Sequence, residues 1–169
     1  LEFRRVLFRS QIGGPALRVE FRRMQVYEFL HAREHFDLVW FMGVFYHLRY
    51  PLLALDLLAR MTGRLMVFQT LTVPDDAPDP QPADCGIDER QRLRAPGWPM
   101  MAFIEHRLSN DPTNWWAANP TGVEAMLRSA GLRVCERPAH EIYVCEPALD
   151  AADRAAFYAD QFAAITRSP

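Results

Sequence analysis

Side chains able to form covalent intermediates are scarce in this chain, and their spacing leaves little for them to do. All 19 basic residues are arginine, which removes phosphate-cradling, Schiff-base and general-base lysines from consideration. Cys85, Cys135 and Cys145 form no C-x-x-C pair and no metal-binding spacing, so they read as reduced thiols, mostly buried. No serine stands in a G-x-S-x-G elbow. One zinc pattern occurs: His31-Ala32-Arg33-Glu34-His35 spells H-x-x-E-H, whose histidines would share one face of a helix. The surrounding stretch, Glu28 to His35, is too short and polar for the buried helix such a site needs. It reads as a solvated connection, and no metal is expected.

Other residues suit recognition. Trp115-Trp116 can stack a base or a sugar, although paired aromatics before a helix serve packing as readily. Arg90, Arg92 and Arg94 make a local basic spot that a solvated loop face explains. The whole chain, 169 residues with a net charge of −2, has no basic field to attract nucleic acid. Half of it is hydrophobic and 24% charged, the balance of one globular domain. The longest apolar run, Phe36 to Tyr46, is too short to span a bilayer and contains Asp37. The expectation is a cytoplasmic protein without a membrane partner.

The elements that must position these residues follow from periodicity. Leu17, Val19 and Phe21, then Met24 and Val26, alternate as a strand does. Phe36 to Val44 is almost continuously apolar, which predicts a central strand buried on both faces. Leu52 to Met61 has helical spacing, with Pro51 to start it and Gly63 to end it; Arg64 to Leu71 is a further buried strand. Thr72 to Ala102, rich in Pro and Asp, reads as a long loop, and its place after a strand's carboxyl end suits a lid. Asn119-Pro120-Thr121 opens a helix that runs to Ala130 with Gly131 as its cap. Leu132 to Glu136 and Glu141 to Glu146 make a hairpin around Pro138-Ala139-His140. A final helix over 149–169, capped by Asp150, carries Ala155, Tyr158, Phe162 and Ile165 as one stripe. The sum is an α/β fold, a doubly wound, mostly parallel sheet with a C-terminal antiparallel hairpin.

The first ten residues stand apart. They have no apolar core or cleavage site of a signal peptide. Val6-Leu7-Phe8-Arg9-Ser10 looks like a sequencing-adapter stretch read in frame, so 1–10 is expected to be a scar and the domain to occupy 11–148.

A specific resemblance now emerges. Phe36-Asp37-Leu38-Val39, then Phe41-Met42-Gly43-Val44-Phe45-Tyr46-His47 and Pro51-Leu52, resembles the fourth-strand region of class I S-adenosylmethionine-dependent methyltransferases of the tRNA wobble-uridine carboxymethyltransferase-like group. Phe103-Ile104-Glu105-His106 and Asp111-Pro112-Thr113-Asn114-Trp115-Trp116 resemble a glycosyltransferase-associated relative within it, and Ala125 to Gly131 continues the match. The resemblance covers about residues 17 to 147. It implies a Rossmann-like methyltransferase fold lacking its first two strands, because only Gln11 to Ala16 precede the expected third strand and the chain has no Gly-x-Gly turn.

The same resemblance implies roles. Glu28, at the end of the third strand, matches the carboxylate that receives the adenine amino group, with Tyr27 beside it. Met42 and Tyr46 match cofactor-lining positions, where core packing is the competing role of each. His47 is a candidate general base or a core histidine. Arg49, Asn114, Trp115 and Trp116 are the acceptor-side candidates. The cofactor implied is S-adenosylmethionine, and the acceptor a small molecule or saccharide. Two alternatives stand beside this. Carboxymethyl transfer to tRNA from carboxy-S-adenosylmethionine is disfavoured by the acidic balance and by the lack of an Arg-rich segment after Gly131. A non-catalytic Rossmann-like module would use Trp115 and Trp116 as a contact patch. Without the glycine turn, the chain is expected to bind cofactor weakly.

Overall fold

The computed structural model describes residues 20–31, 33–74, 82, 84–148, 159–160 and 162–165. In chain order they form β1 (Phe36–Met42), α1 (Pro51–Met61), β2 (Thr62–Gln69), β3 (Met101–Phe103), β4 (Trp116–Ala118), α2 (Pro120–Ser129), β5 (Leu132–Ala139) and β6 (Ile142–Pro147). Short 3-10 turns occupy Val26–His31, Phe45–His47 and Ile87–Arg94. The main sheet runs β1-β2-β6-β5, and β3 pairs with β4 in a separate ribbon.

β1 and β2 are parallel, with Val39 opposite Met66 and Phe41 opposite Phe68. β6 lies antiparallel beside β2, placing Cys145 opposite Met66 and Tyr143 opposite Phe68. These rows form one face of the sheet, and α1 and α2 cover it through Leu55, Leu58, Val123 and Leu127. Phe68 is the hub, with ring centroids of Phe45, Phe41 and Tyr143 at 5.3, 6.0 and 6.3 Å. Such tilted and edge-on pairs each add about 0.5–1.5 kcal/mol beyond the area they bury.

Local signals explain the helices. Pro51 begins α1 where its missing N–H costs nothing. Asn119 caps α2 by accepting from Gly122 N–H at 2.9 Å, and the same Oδ1 accepts from Met100 N–H at 2.9 Å. A Cβ on Gly122 would stand 2.6 Å from Met100 O, so glycine is what lets the loop before β3 dock on the helix start. The hairpin forms as expected, with its turn shifted to His140-Glu141.

Several expectations need correction. The strand predicted from Leu17 to Val26 lies partly outside the described residues, and its described part, 20–25, has no regular structure. Val26 opens a 3-10 turn, and Val26 and Phe29 pack on the core three residues apart, the period of that turn. β1 is an edge among the described residues: Phe36, Leu38 and Trp40 are 43%, 52% and 68% exposed. The described sheet has one parallel pairing and two antiparallel ones, with both helices on one face, so the two-faced, mostly parallel winding is not seen there. The expected loop over 72–102 contains the Ile87–Arg94 turn and ends in β3. Of the final stripe, Ala155 and Tyr158 lie outside the described residues. Phe162 is buried beneath Arg60, whereas Ile165 is exposed. Residues 1–10, expected to be a scar, lie outside them too. No helix among the described residues is long and apolar enough to cross a membrane.

Candidate functional site

The site forms where β1 ends. Gly43 turns the chain with φ +70°, a conformation that L side chains rarely adopt. Its N–H donates to Gln69 Oε1 at 2.8 Å, so the carboxyl ends of β1 and β2 are tied by a side chain. Gln69 Nε2 donates in turn to Glu141 Oε2 at 3.1 Å. Glu141 Oε1 accepts from Thr72 N–H at 2.7 Å and from Thr72 Oγ1 at 3.1 Å. A Cβ on Gly43 would meet Gln69 Oε1 at 3.9 Å and Tyr46 Oη at 4.0 Å, ordinary contact distances, so the positive φ is what calls for glycine here.

His47 follows on the same turn, its ring 4.2 Å from that of Tyr46. Its Nδ1 lies 2.9 Å from Thr113 Oγ1 and 3.2 Å from Thr113 O. The Thr113 hydroxyl donates to Asp111 Oδ1 at 2.6 Å, and Thr113 N–H donates to the same oxygen at 2.7 Å. With its proton committed to Asp111, Thr113 Oγ1 can only accept from His47, and Thr113 O can only accept as well. Nδ1 therefore carries a proton, which leaves Nε2 as the acceptor when the ring is neutral. The two Thr113 hydrogen bonds, side chain first, and the nearby His47 hold Asp111 below the usual carboxylate range. The carboxylate end of this relay stays ionised.

The strap 108–116 holds this arrangement against the turn. Ser109 and Asn110 both have positive φ, as a type I′ turn requires, and Leu108 and Asp111 bridge around them. Trp115 N–H donates to Tyr46 O at 2.8 Å, and Trp116 Nε1 donates to Leu48 O at 3.0 Å. Arg49 Cζ sits 4.9 Å from the Trp115 ring centroid.

Of the residues singled out from sequence, Tyr46, His47, Arg49, Trp115 and Trp116 thus share one strip, and Met42 immediately precedes its glycine turn. Asn114 is buried behind it, donating to Leu108 O at 3.0 Å. Tyr27 reaches the strip's far end, where its Oη accepts from Tyr50 N–H at 3.0 Å. Glu28 is exposed on the 3-10 turn Val26–His31, not at a strand end. The H-x-x-E-H residues do not share a helix face: His31 ends that turn, residues 33–35 are not helical, and Glu34 pairs with Arg22. Among the described residues no group of three His, Cys, Asp or Glu could hold a metal ion.

Sequence reasoning missed Gln69 and Thr72 together with Glu141, which lies about seventy residues on and meets them through the β2–β6 pairing. Thr113 and Asp111 carried a local signal, since Asp-x-Thr favours a side-chain-capped turn. An apolar cavity of about 470 Å³ runs along the unpaired edge of β1, lined by Met24, Phe29, Leu38, Trp40 and Met42 among others. Of the expected site residues only Met42 reaches it, and its apolar lining offers little to orient a polar ligand.

No family model and no curated protein matches the chain. Among solved structures it is similar to the crystal structure of the N-terminal domain of EvdMO1 with SAH bound. The identity is 17% and the TM-score 0.43, over 75% of this chain and 52% of that one. The chain spans about half the length of that neighbour.

Proposed function

We propose that this chain carries part of an S-adenosylmethionine-dependent methyltransferase that acts on a small-molecule or saccharide-type acceptor. One observation carries the reading. The resemblance to the class I methyltransferases rests on Phe41 to His47, and those residues form the glycine turn at the end of β1, with Tyr46 and a tautomer-fixed histidine beside it.

The residues present fit the methyl donor in part. The glycine turn at Gly43, with the Tyr46 hydroxyl and the Gln69 amide beside it, is where an adenosyl and sulfonium group would lie, and Tyr27 and Glu28 would meet the adenine edge. The chain has no Gly-x-Gly turn for the donor's other end. When bound, the donor supplies a methyl group on a sulfonium, open to in-line displacement.

The chain's own part is orientation and proton removal. His47 Nε2 takes the proton of an acceptor hydroxyl as its oxygen becomes nucleophilic. Asp111, through Thr113, steadies the imidazolium that results. The turn and the strap hold acceptor and donor in line, which is where most of the rate advantage of such a displacement arises.

The reading is tested by equilibrium titration with S-adenosylhomocysteine, the product. Glu28→Ala is expected to weaken binding about ten- to hundredfold, the loss of a hydrogen bond to a charged acceptor. His31→Ala, on the H-x-x-E-H pattern, should leave it unchanged. A silent Glu28→Ala together with a His31→Ala that abolishes binding would overturn the assignment.

A further inference from the structure

We propose that the acceptor carries an anionic group, a carboxylate or a phosphate, on a saccharide ring with an apolar face, and that Arg49, Trp115 and Phe103 receive it. The inference rests on the methyl-transfer reading for the identity of the ligand as acceptor; the surface itself stands on its own geometry.

Arg49 lies two residues past His47 and is exposed. Its guanidinium carbon is 4.9 Å from the Trp115 centroid and 5.8 Å from that of Phe103. Those rings are stacked on each other, with centroids 6.3 Å apart and planes 23° from parallel. The cation is therefore held over a continuous aromatic surface. Stacking engages the face of a guanidinium and leaves its five in-plane N–H donors available. Among the described residues no carboxylate lies within ion-pair distance of Arg49, and Asp111 on the strap is already engaged by Thr113.

An oriented, solvent-facing guanidinium without an acidic partner matches the two parallel oxygens of a carboxylate or phosphate. The aromatic surface beside it supplies the second half of the specificity. Phe103 is half exposed, and such a ring surface suits the apolar face of a sugar. The anion site and the base lie on one strip, because Trp115 is bonded to Tyr46 O and Thr113 to His47. A ligand anchored at Arg49 thus lies on the strip that holds His47. The chain as a whole is slightly acidic, so the preference is local to this strip.

The test follows the Trp115 indole N–H resonance in a nitrogen-15 spectrum, assigned with Trp115→Phe, at low salt. The ligands are methyl β-D-glucuronide, glucose 1-phosphate and the neutral methyl β-D-glucoside. The proposal predicts that an anionic sugar moves this resonance at a concentration about fivefold or more below that needed for the glucoside. Tighter glucuronide binding identifies a carboxylate, and tighter glucose 1-phosphate binding a phosphate. Arg49→Leu should equalise all three, and Arg49→Lys should keep part of the preference. Equal binding of the three by the unaltered protein overturns the proposal. So does a preference that survives Arg49→Leu, or a Trp115 signal that neither anion moves. No donor is present in these titrations. Failure of the titration with S-adenosylhomocysteine alongside a preserved anion preference would therefore refute the methyl-transfer reading alone.

Discussion

Tyr143 shows what a single residue can hide. It is fully buried between the sheet and its helices, with Arg137 5.0 Å from its ring, and its hydroxyl has no hydrogen-bond partner among the described residues. Burial pushes its pKa up, opposed in part by Arg137. Tyr143→Phe removes an orphaned polar atom and keeps the ring, so the variant should match the parent or gain up to about 1 kcal/mol in urea denaturation. Asp56 on α1 makes a different prediction. Burial raises its pKa to about 6, and Arg60 one turn on offsets part of that. The folded protein thus holds a proton that the unfolded chain releases nearer pH 4. The stability this contributes is complete below pH 4 and is lost as pH rises through about 6. Asp56→Asn should therefore be more stable than the parent at pH 8, by about 1 kcal/mol given the solvent screening of a half-buried carboxyl, with the difference gone by pH 4. Melting curves at the two pH values check it. At this scale the family resemblance pointed to Met42, Tyr46 and His47, which lie close together in one run. What fixes the His47 tautomer, Thr113 and Asp111, lies more than sixty residues away.

Elements divide by where their stability comes from. α1 and α2 were legible because proline, Asn119 and a 3.6-residue apolar period are local signals. The hairpin was legible for the same reason, apart from the position of its turn. The stretch before β1 was misread because alternation specifies a strand only where a partner strand accepts its hydrogen bonds. Val26 and Phe29 reach the core from a 3-10 turn instead. β4 escaped notice because three residues are too few to show a period, although its pairing with β3 sets Trp116 opposite Phe103. Gly122 is the element-scale test of this account. Alanine there would bring Cβ to 2.6 Å from Met100 O, which is backbone and cannot rotate away, and to 2.7 Å from the capping Asn119 Oδ1. Gly122→Ala should cost about 2–3 kcal/mol although alanine favours helix, and a neutral result would show that the loop before β3 does not dock as described.

Across the whole molecule, the apolar composition of β1 asks for cover on both faces, and the described residues supply it on one. Phe41 and Val39 meet the helices, while Trp40 and Leu38 stand in solvent beside the apolar cavity. That asymmetry was not legible, since periodicity reports how apolar a strand is and not which neighbours reach it. It also leaves the polar strip at the carboxyl end of β1 as the site with the means to orient a ligand, and it is there that a methyl donor is proposed to bind. The most direct measurement follows the methionine methyl resonances of carbon-13 methyl-labelled protein during titration with S-adenosylmethionine. Seven signals are available, and Met42→Leu assigns the one that matters. The Met42 signal is expected to move at millimolar donor while Met100, in the loop before β3, and Met126, on α2, stay still, and Tyr46→Phe is expected to weaken the response. A Met42 signal that does not move at those concentrations, or that moves equally with Met100 and Met126, would contradict donor binding at the strip.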